Sequence, residues 1–250
     1  MKPCPPPKKL DLESVQEYVE AHIGSFHQRR LERLSGLQLR KILRRKNPYL
    51  FRAKNILTAE ALVRGILEAH LSSQEETLFG EFLEGLAVFV CQQVYGGHKS
   101  TAEGIDLEFR CGTTYYIVSI KSGPNWGNSS QIARMRRNFQ QASRRLRQNP
   151  DVSHVVAVNG CAYGRDNRPD KGDYQKLCGQ RFWEFISGDS NLYIDIIKPL
   201  GHKAKQHNEA FAQAYTQMVN RFTRELLLDF CDSSGAIDWP SLVAFNAAAT

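Results

Sequence analysis

The spacing of apolar residues changes period near residue 104, and this change limits the fold more than any other feature of the chain. Before it, Leu12, Val15, Val19 and Ile23, then Leu31, Leu34, Leu37 and Leu39, recur at helical intervals. Gly24 and Gly36 are expected to interrupt that helical region, and Asn47-Pro48 to end it. A second helix is expected over 58–70 with Thr58 as its N-cap, and a third over 75–94, stopped by Gly96-Gly97. From Ile105 the pattern alternates instead: Ile105, Leu107 and Phe109 fall on one side, Asp106, Glu108 and Arg110 on the other. That is a half-buried strand. A turn at Arg110-Cys111-Gly112-Thr113-Thr114 and a second strand over 115–121 make an antiparallel hairpin. After Gly123-Pro124-Asn125-Trp126-Gly127 breaks the strand, a basic helix follows over 130–148 and a short central strand over 155–159. Residues 161–180 read as loop, and helical spacing returns at 181–186, 204–230 and 240–245.

Helices on both sides of a short β segment call for an α/β protein of the α+β type. With 250 residues, 42% hydrophobic and 24% charged, the chain can bury a core without staples, and disordered, collagen-like and coiled-coil classes are excluded. No repeat or linker divides it. The expected organisation is a flexible Pro/Lys tail over 1–9 and a single domain over 10–250. The domain has a helical N-terminal part (10–74), a mixed central part (75–200) and a helical C-terminal part (201–250).

Charge is segregated. Lys and Arg number 33 against 26 Asp and Glu, yet ten basic residues and one acid lie between Arg29 and Lys54, and eight basic residues and no acid between Arg110 and Pro150. Acids gather instead at Glu75, Glu76, Glu81, Glu84, Glu103, Asp106 and Glu108. Such a split forms either solvated helix faces or a polyanion-binding surface beside an acidic pocket. The six cysteines show no CxxC pair and no zinc-like spacing, so they read as reduced thiols. No apolar leader follows Met1-Lys2 and no run is long enough to span a membrane, so the expected compartment is the cytoplasm.

Chemistry concentrates between Gly104 and Gln131. Ser119 and Lys121 are two apart and share a strand face, and pairing of the hairpin brings that face to Asp106. A carboxylate beside a lysine on neighbouring strands forms either an ordinary cross-strand ion pair or a phosphodiester-hydrolysing centre. In the second case the carboxylate holds a hard divalent ion, Mg2+, and the ammonium orients or helps deprotonate the attacking water. Lys121 ends its strand beside Ser122-Gly123-Pro124, where side chains project from a sheet edge toward a ligand.

Gly104-Ile105-Asp106, twelve intervening residues and Ser119-Ile120-Lys121 resemble the PD-(D/E)xK nuclease signature. The closer similarity is to type II restriction endonucleases in which Ser replaces the acid two before the lysine, enzymes that cut short GC-rich palindromes. Asn47-Pro48-Tyr49, Phe79-Gly80, Ser119–Gly123 with Gln131, Tyr163-Gly164, and Phe182-Trp183 before Ile186-Ser187-Gly188 carry the similarity along most of the chain from residue 47. The resemblance implies a restriction-endonuclease-like core, a mixed central sheet flanked by helices. It also implies site-specific hydrolysis of double-stranded DNA, a homodimer acting on a palindrome, and a partner methyltransferase that protects host DNA.

Two positions depart from the pattern. Ile105 replaces the usual proline, which mainly shapes backbone, and Ser119 cannot supply the missing charge. The substitute acid found about a dozen residues beyond the lysine in some such enzymes is absent, because Ala133 and Arg134 stand there and no acid precedes Asp151. Glu84, on the helix before the first strand, is therefore the expected second metal ligand beside Asp106, with Glu103 and then Glu108 as substitutes. The family geometry also turns the Ile120 carbonyl toward the metal. Asp106, Glu84 and Lys121 are the expected catalytic set, with Ser119 a secondary polar contact.

For DNA, Asn128, Ser129 and Ser130 suit the cap of a helix whose N-terminus faces phosphate, and Arg134 and Arg137 continue the charge along it. Gln131 either orients the lysine, water or phosphate, or serves the helix start. Trp126 either stacks on DNA or anchors its loop to the core. The basic run 40–46 either touches phosphate or is solvated. Two other functions share these residues: a structure-selective repair or recombination nuclease, and a non-catalytic DNA-binding module in which Ser119 marks a decayed site.

Overall fold

A computed structural model describes residues 8–150, 152 and 154–249. All of the expected tail except Lys8 and Lys9 lies outside the described residues. In chain order the elements are α1 (Leu12–Ser35), α2 (Leu39–Leu43), α3 (Pro48–Ala53), α4 (Ala59–Tyr95), β1 (His98–Lys99), β2 (Leu107–Cys111), β3 (Thr114–Lys121) and α5 (Ser129–Leu146). There follow β4 (His154–Cys161), β5 (Gln175–Cys178), α6 (Gln180–Ser187), α7 (Leu192–Asp195), α8 (Ile197–Leu200), α9 (Ala204–Phe230) and α10 (Trp239–Ala247).

Two compact units emerge. The first contains 8–23 and Phe79–His202, the second Gly24–Leu78 and 203–249. The second is helical, with Leu34, Leu39, Ile42, Phe51, Leu62, Ile66, Phe222 and Leu226 in its core. Within it Arg40 pairs with Asp229 at 2.6 Å and lies over the Phe245 ring, while Lys41, Arg44 and Arg45 are exposed.

The first unit holds a five-stranded sheet in the order β1-β2-β3-β4-β5. β1, β2 and β3 pair antiparallel, whereas β3, β4 and β5 pair parallel, so the sheet is mixed. This is the α+β architecture expected. The β2–β3 hairpin turns at Gly112, whose φ of +60° suits a residue without a Cβ. Helix α5 then carries the chain back so that β4 can lie parallel to β3, as a parallel pair requires.

Alternation gives the sheet two unlike faces. Leu107, Phe109, Tyr116, Val118 and Ile120 form one apolar surface, buried with Leu83, Leu86, Ala87 and Val90 of α4 and with Phe182 and Trp183 of α6. On the other, Ile117, Val155 and Ala157 pack with Met135, Phe139 and Ala142 of α5. Ser119 and Asn159, opposite each other in the β3–β4 register, interrupt that second surface and are both about 1% exposed.

Several local expectations need correction. Gly24 does not break α1, because a single glycine costs a helix only about 1 kcal/mol. The two helices expected over 58–70 and 75–94 are one, α4, since Leu71-Ser72-Ser73-Gln74 contains neither glycine nor proline. Thr58 still caps it, accepting the Ala61 N–H at 3.2 Å. Pro48 opens α3 behind an Asn47 cap. Strands β1 and β5 were not expected. Cys111 is disulfide-bonded, against the reading of all six cysteines as thiols, because spacing along a chain says nothing about distance in a fold. Cys91, Cys161, Cys178 and Cys231 are free.

Candidate active site

Backbone pairing continues one residue beyond β2, where the Asp106 N–H donates to the Val118 carbonyl at 2.9 Å. Val118 is also the register partner of Leu107, so that bond holds Asp106 just past the end of the paired register. The carboxylate oxygen Oδ2 accepts the Ile120 N–H at 2.6 Å and the Ser119 hydroxyl at 3.4 Å, and lies 3.6 Å from Lys121 Nζ. The ammonium also donates to the Ile120 carbonyl at 2.7 Å. Asp106, Ser119, Ile120 and Lys121 thus meet within one turn of strand backbone, with the lysine and aspartate side chains 30% and 20% exposed. A partly exposed pair at this distance adds at most about 1 kcal/mol to stability. Its placement at an accessible sheet end matters more than its contribution to folding.

Glu84 does not join this group directly. Its Oε1 takes the Lys99 ammonium at 3.2 Å. Two contacts nevertheless bring α4 to this end of the sheet: Gly80, one turn before Glu84, lies against Ser122, and Lys99 is the strand partner of Leu107, next to Asp106. The substitute acids are engaged elsewhere. Glu103 pairs with Arg134 at 2.6 Å. Glu108 accepts from Ser100 and, at 2.8 Å, from the Tyr115 hydroxyl, whose pKa is pushed up by burial and then by that carboxylate. Among the described residues no group of three His, Cys, Asp or Glu side chains is arranged to hold a metal.

The donors that do converge suit a small hard cation. They are all oxygen: the Asp106 carboxylate, the Ile120 carbonyl and the Ser119 hydroxyl. The aspartate's three contacts fall on Oδ2, so Oδ1 carries none of them. Mg2+ is commonly held by one or two carboxylates with waters and substrate phosphates completing its shell. One carboxylate and one carbonyl at an open edge fit that pattern.

Helix α5 starts beside the site with a reciprocal cap. Asn128 accepts the Gln131 N–H at 3.1 Å, and Gln131 Oε1 accepts the Asn128 N–H at 2.9 Å. Of its two readings, Gln131 therefore takes the helix-start role. Ser129, Ser130 and Arg137 are exposed, and Arg134 is tied to Glu103.

Sequence reasoning missed the polar scaffold beneath the site. Asn159, the one polar side chain in the 155–159 run, donates from Nδ2 to the Ser119 carbonyl and accepts Trp126 Nε1–H, both at 3.1 Å. Trp126 is thus an anchored loop residue, packed beside the α5-side core. Lys176 donates to the Pro124 carbonyl at 2.9 Å and lies 3.5 Å from Asp166, which also accepts from Lys171 and the Arg168 N–H. Burial alone would raise the Asp166 pKa, but these donors hold it below the ordinary value. Gly123 completes the loop: a Cβ there would fall 2.4 Å from the Tyr163 ring. An asparagine facing the core of an otherwise apolar strand was the signal available in the sequence.

An antiparallel hairpin joined through a helix to parallel strands, with an aspartate and a lysine meeting at its end, defines a restriction-endonuclease-like protein of the α+β class. The family model of Type II restriction endonuclease EcoO109I matches residues 13–208, and the chain belongs to that family. No match was found among curated proteins.

Proposed function

We propose that the protein is a Mg2+-dependent endonuclease that hydrolyses double-stranded DNA at a short specific site. It works as a homodimer in the cytoplasm, beside a methyltransferase that protects host DNA. The convergence of Asp106, Lys121 and the Ile120 carbonyl at one accessible sheet end carries this reading. Asp106 and the Ile120 carbonyl would hold the ion, and Glu84 would join them by exchanging Lys99 for it. When bound, Mg2+ supplies charge neutralisation at the phosphate under attack. Lys121 orients the attacking water and faces the developing negative charge, while Ser119 keeps the aspartate oriented. Ser129, Ser130, Arg134 and Arg137 lie along the start of α5, where phosphates are favoured by the helix terminus and by cationic side chains. Asn128 and Gln131 shape that helix start.

Digestion of varied plasmids with Mg2+, then with EDTA, tests the proposal. Defined fragments that require Mg2+ and vanish with Lys121→Ala support it, and intact DNA throughout, from well-folded protein, contradicts it. The lack of a three-acid cluster among the described residues favours a second reading, a DNA-binding module with a decayed site. That module would bind DNA in a salt-sensitive manner without divalent ions, retain binding in Asp106→Ala, and cut nothing.

A further inference from the structure

The contacts of Lys121 are chemically unequal. Its ammonium reaches the Ile120 carbonyl at 2.7 Å and Asp106 Oδ2 at 3.6 Å, and it lies over the Trp126 ring, 5.5 Å from the centroid. The first two acceptors are the same oxygens proposed to hold a divalent ion, so ammonium and metal compete for them. An aromatic face is different. It attracts an ammonium within about 6 Å of its centroid but presents no oxygen donor to a hard cation.

The indole is itself held from below. Its N–H can only donate, so the amide of Asn159 turns Oδ1 toward Trp126 and leaves Nδ2 for the Ser119 carbonyl. Asn159 is 1% exposed, and β3–β4 pairing sets it directly opposite Ser119. The ring is therefore referenced to the backbone of the strand that carries the lysine. The loop bearing it is fixed a second time where Lys176 donates to Pro124.

We propose that Trp126, set by Asn159, is a positioning residue that retains the Lys121 ammonium at the site when the divalent ion occupies the Asp106 and Ile120 oxygens. This rests on the nuclease reading above. Without a role for the ring face, Phe and Leu would be equivalent at position 126, since both lose the indole N–H that Asn159 accepts. Positioning requires an aromatic face.

The test compares wild type, Trp126→Phe and Trp126→Leu in single-turnover DNA cleavage at saturating Mg2+, with DNA affinity measured in Ca2+. Trp126→Leu is expected to slow cleavage about tenfold while leaving DNA affinity within about twofold, and Trp126→Phe to recover most of the rate. A second readout needs no activity. In protein labelled with 13C at lysine Cε, the Lys121 resonance, assigned by its loss in Lys121→Ala, should show an upfield ring-current shift that persists in Trp126→Phe and disappears in Trp126→Leu. Wild-type cleavage with an unaffected Trp126→Leu variant would overturn this proposal alone. So would equal slowing in both variants, or an unshifted Lys121 resonance. A wild-type protein that cuts no DNA would remove the nuclease reading, and this proposal with it.

Discussion

The two faces of the β2–β3–β4 sheet are built from the same strands, yet they do different work. On the α4 side, Leu107, Phe109, Tyr116, Val118 and Ile120 meet Leu83, Leu86, Ala87 and Val90 in one apolar cluster. The α5 side begins the same way at Ile117, Val155 and Ala157, then changes toward the end of the strands to Ser119, Asn159 and Lys121, with Asp106 alongside. Strand alternation alone allows this separation, because neighbouring residues point to opposite faces. One face can satisfy the core while the other, at its end, accommodates polar groups that would be costly without partners. Each of those polar groups has one: Ser119 with Asp106, Asn159 with Trp126 and the Ser119 carbonyl, Lys121 with Ile120 and Asp106.

Substitutions on the two faces should therefore separate activity from stability. The largest effect is expected for Lys121→Ala or Asp106→Asn. Either should lower single-turnover cleavage on the order of 10^3-fold while leaving the urea midpoint near that of wild type. A parallel loss of folding would erase the distinction between the faces. Leu86→Ala, on the apolar side, should cost about 3 kcal/mol in urea unfolding and leave the rate per folded molecule close to normal.

Asn159→Ala belongs to both categories. It strands the Trp126 N–H and takes one donor from the Ser119 carbonyl, so about 2 kcal/mol of stability should go, together with part of the cleavage rate. A change in only one of the two measurements would show that Asn159 serves the core or the site, not both. Glu84 and Lys99 sharpen the comparison from the α4 side. If Glu84 takes the ion, Glu84→Gln should slow cleavage about tenfold and raise the Mg2+ requirement, whereas Lys99→Ala should change the rate by less than about threefold. Equal, small effects from both would mark Glu84 as Lys99's partner and nothing more.

The smallest effect concerns pH. The Asp166 carboxyl is held below its ordinary value, so its folded form gains stability above the unfolded pKa of about 3.9. That contribution is lost as pH falls through the lower folded value. Urea midpoints measured from pH 6 to 3 should therefore decline less steeply in Asp166→Asn than in wild type, and matching slopes would contradict the assignment.

Legibility followed the physics of each element. The hairpin was readable because alternation and a glycine turn are local signals, and it brings the Asp106 carboxylate to Ser119 and Lys121. The α5 cap was readable in part: Asn128 was one of three candidates, and the structure selects it through Gln131 and puts Ser129 and Ser130 inside the helix. Strand β5 was not, because residues 175–178 are short and gain strand structure only by pairing with β4. The Lys99 partner of Glu84 was hidden as well, since it depends on a contact between α4 and β1 that only the fold makes. The polar scaffold falls between these cases. Asn159 is visible as an anomaly in an apolar run, but its partner Trp126 lies 33 positions away and only the fold connects them.

The central claim is that one sheet end, centred on Asp106 and Lys121, performs metal-dependent cutting at a defined DNA sequence. Sequencing the ends of genomic DNA digested with Mg2+ measures this most directly. The account predicts one shared motif around every end at a constant cut position, with no such ends from Asp106→Asn. Randomly placed ends, or none while the protein still binds DNA, would contradict it.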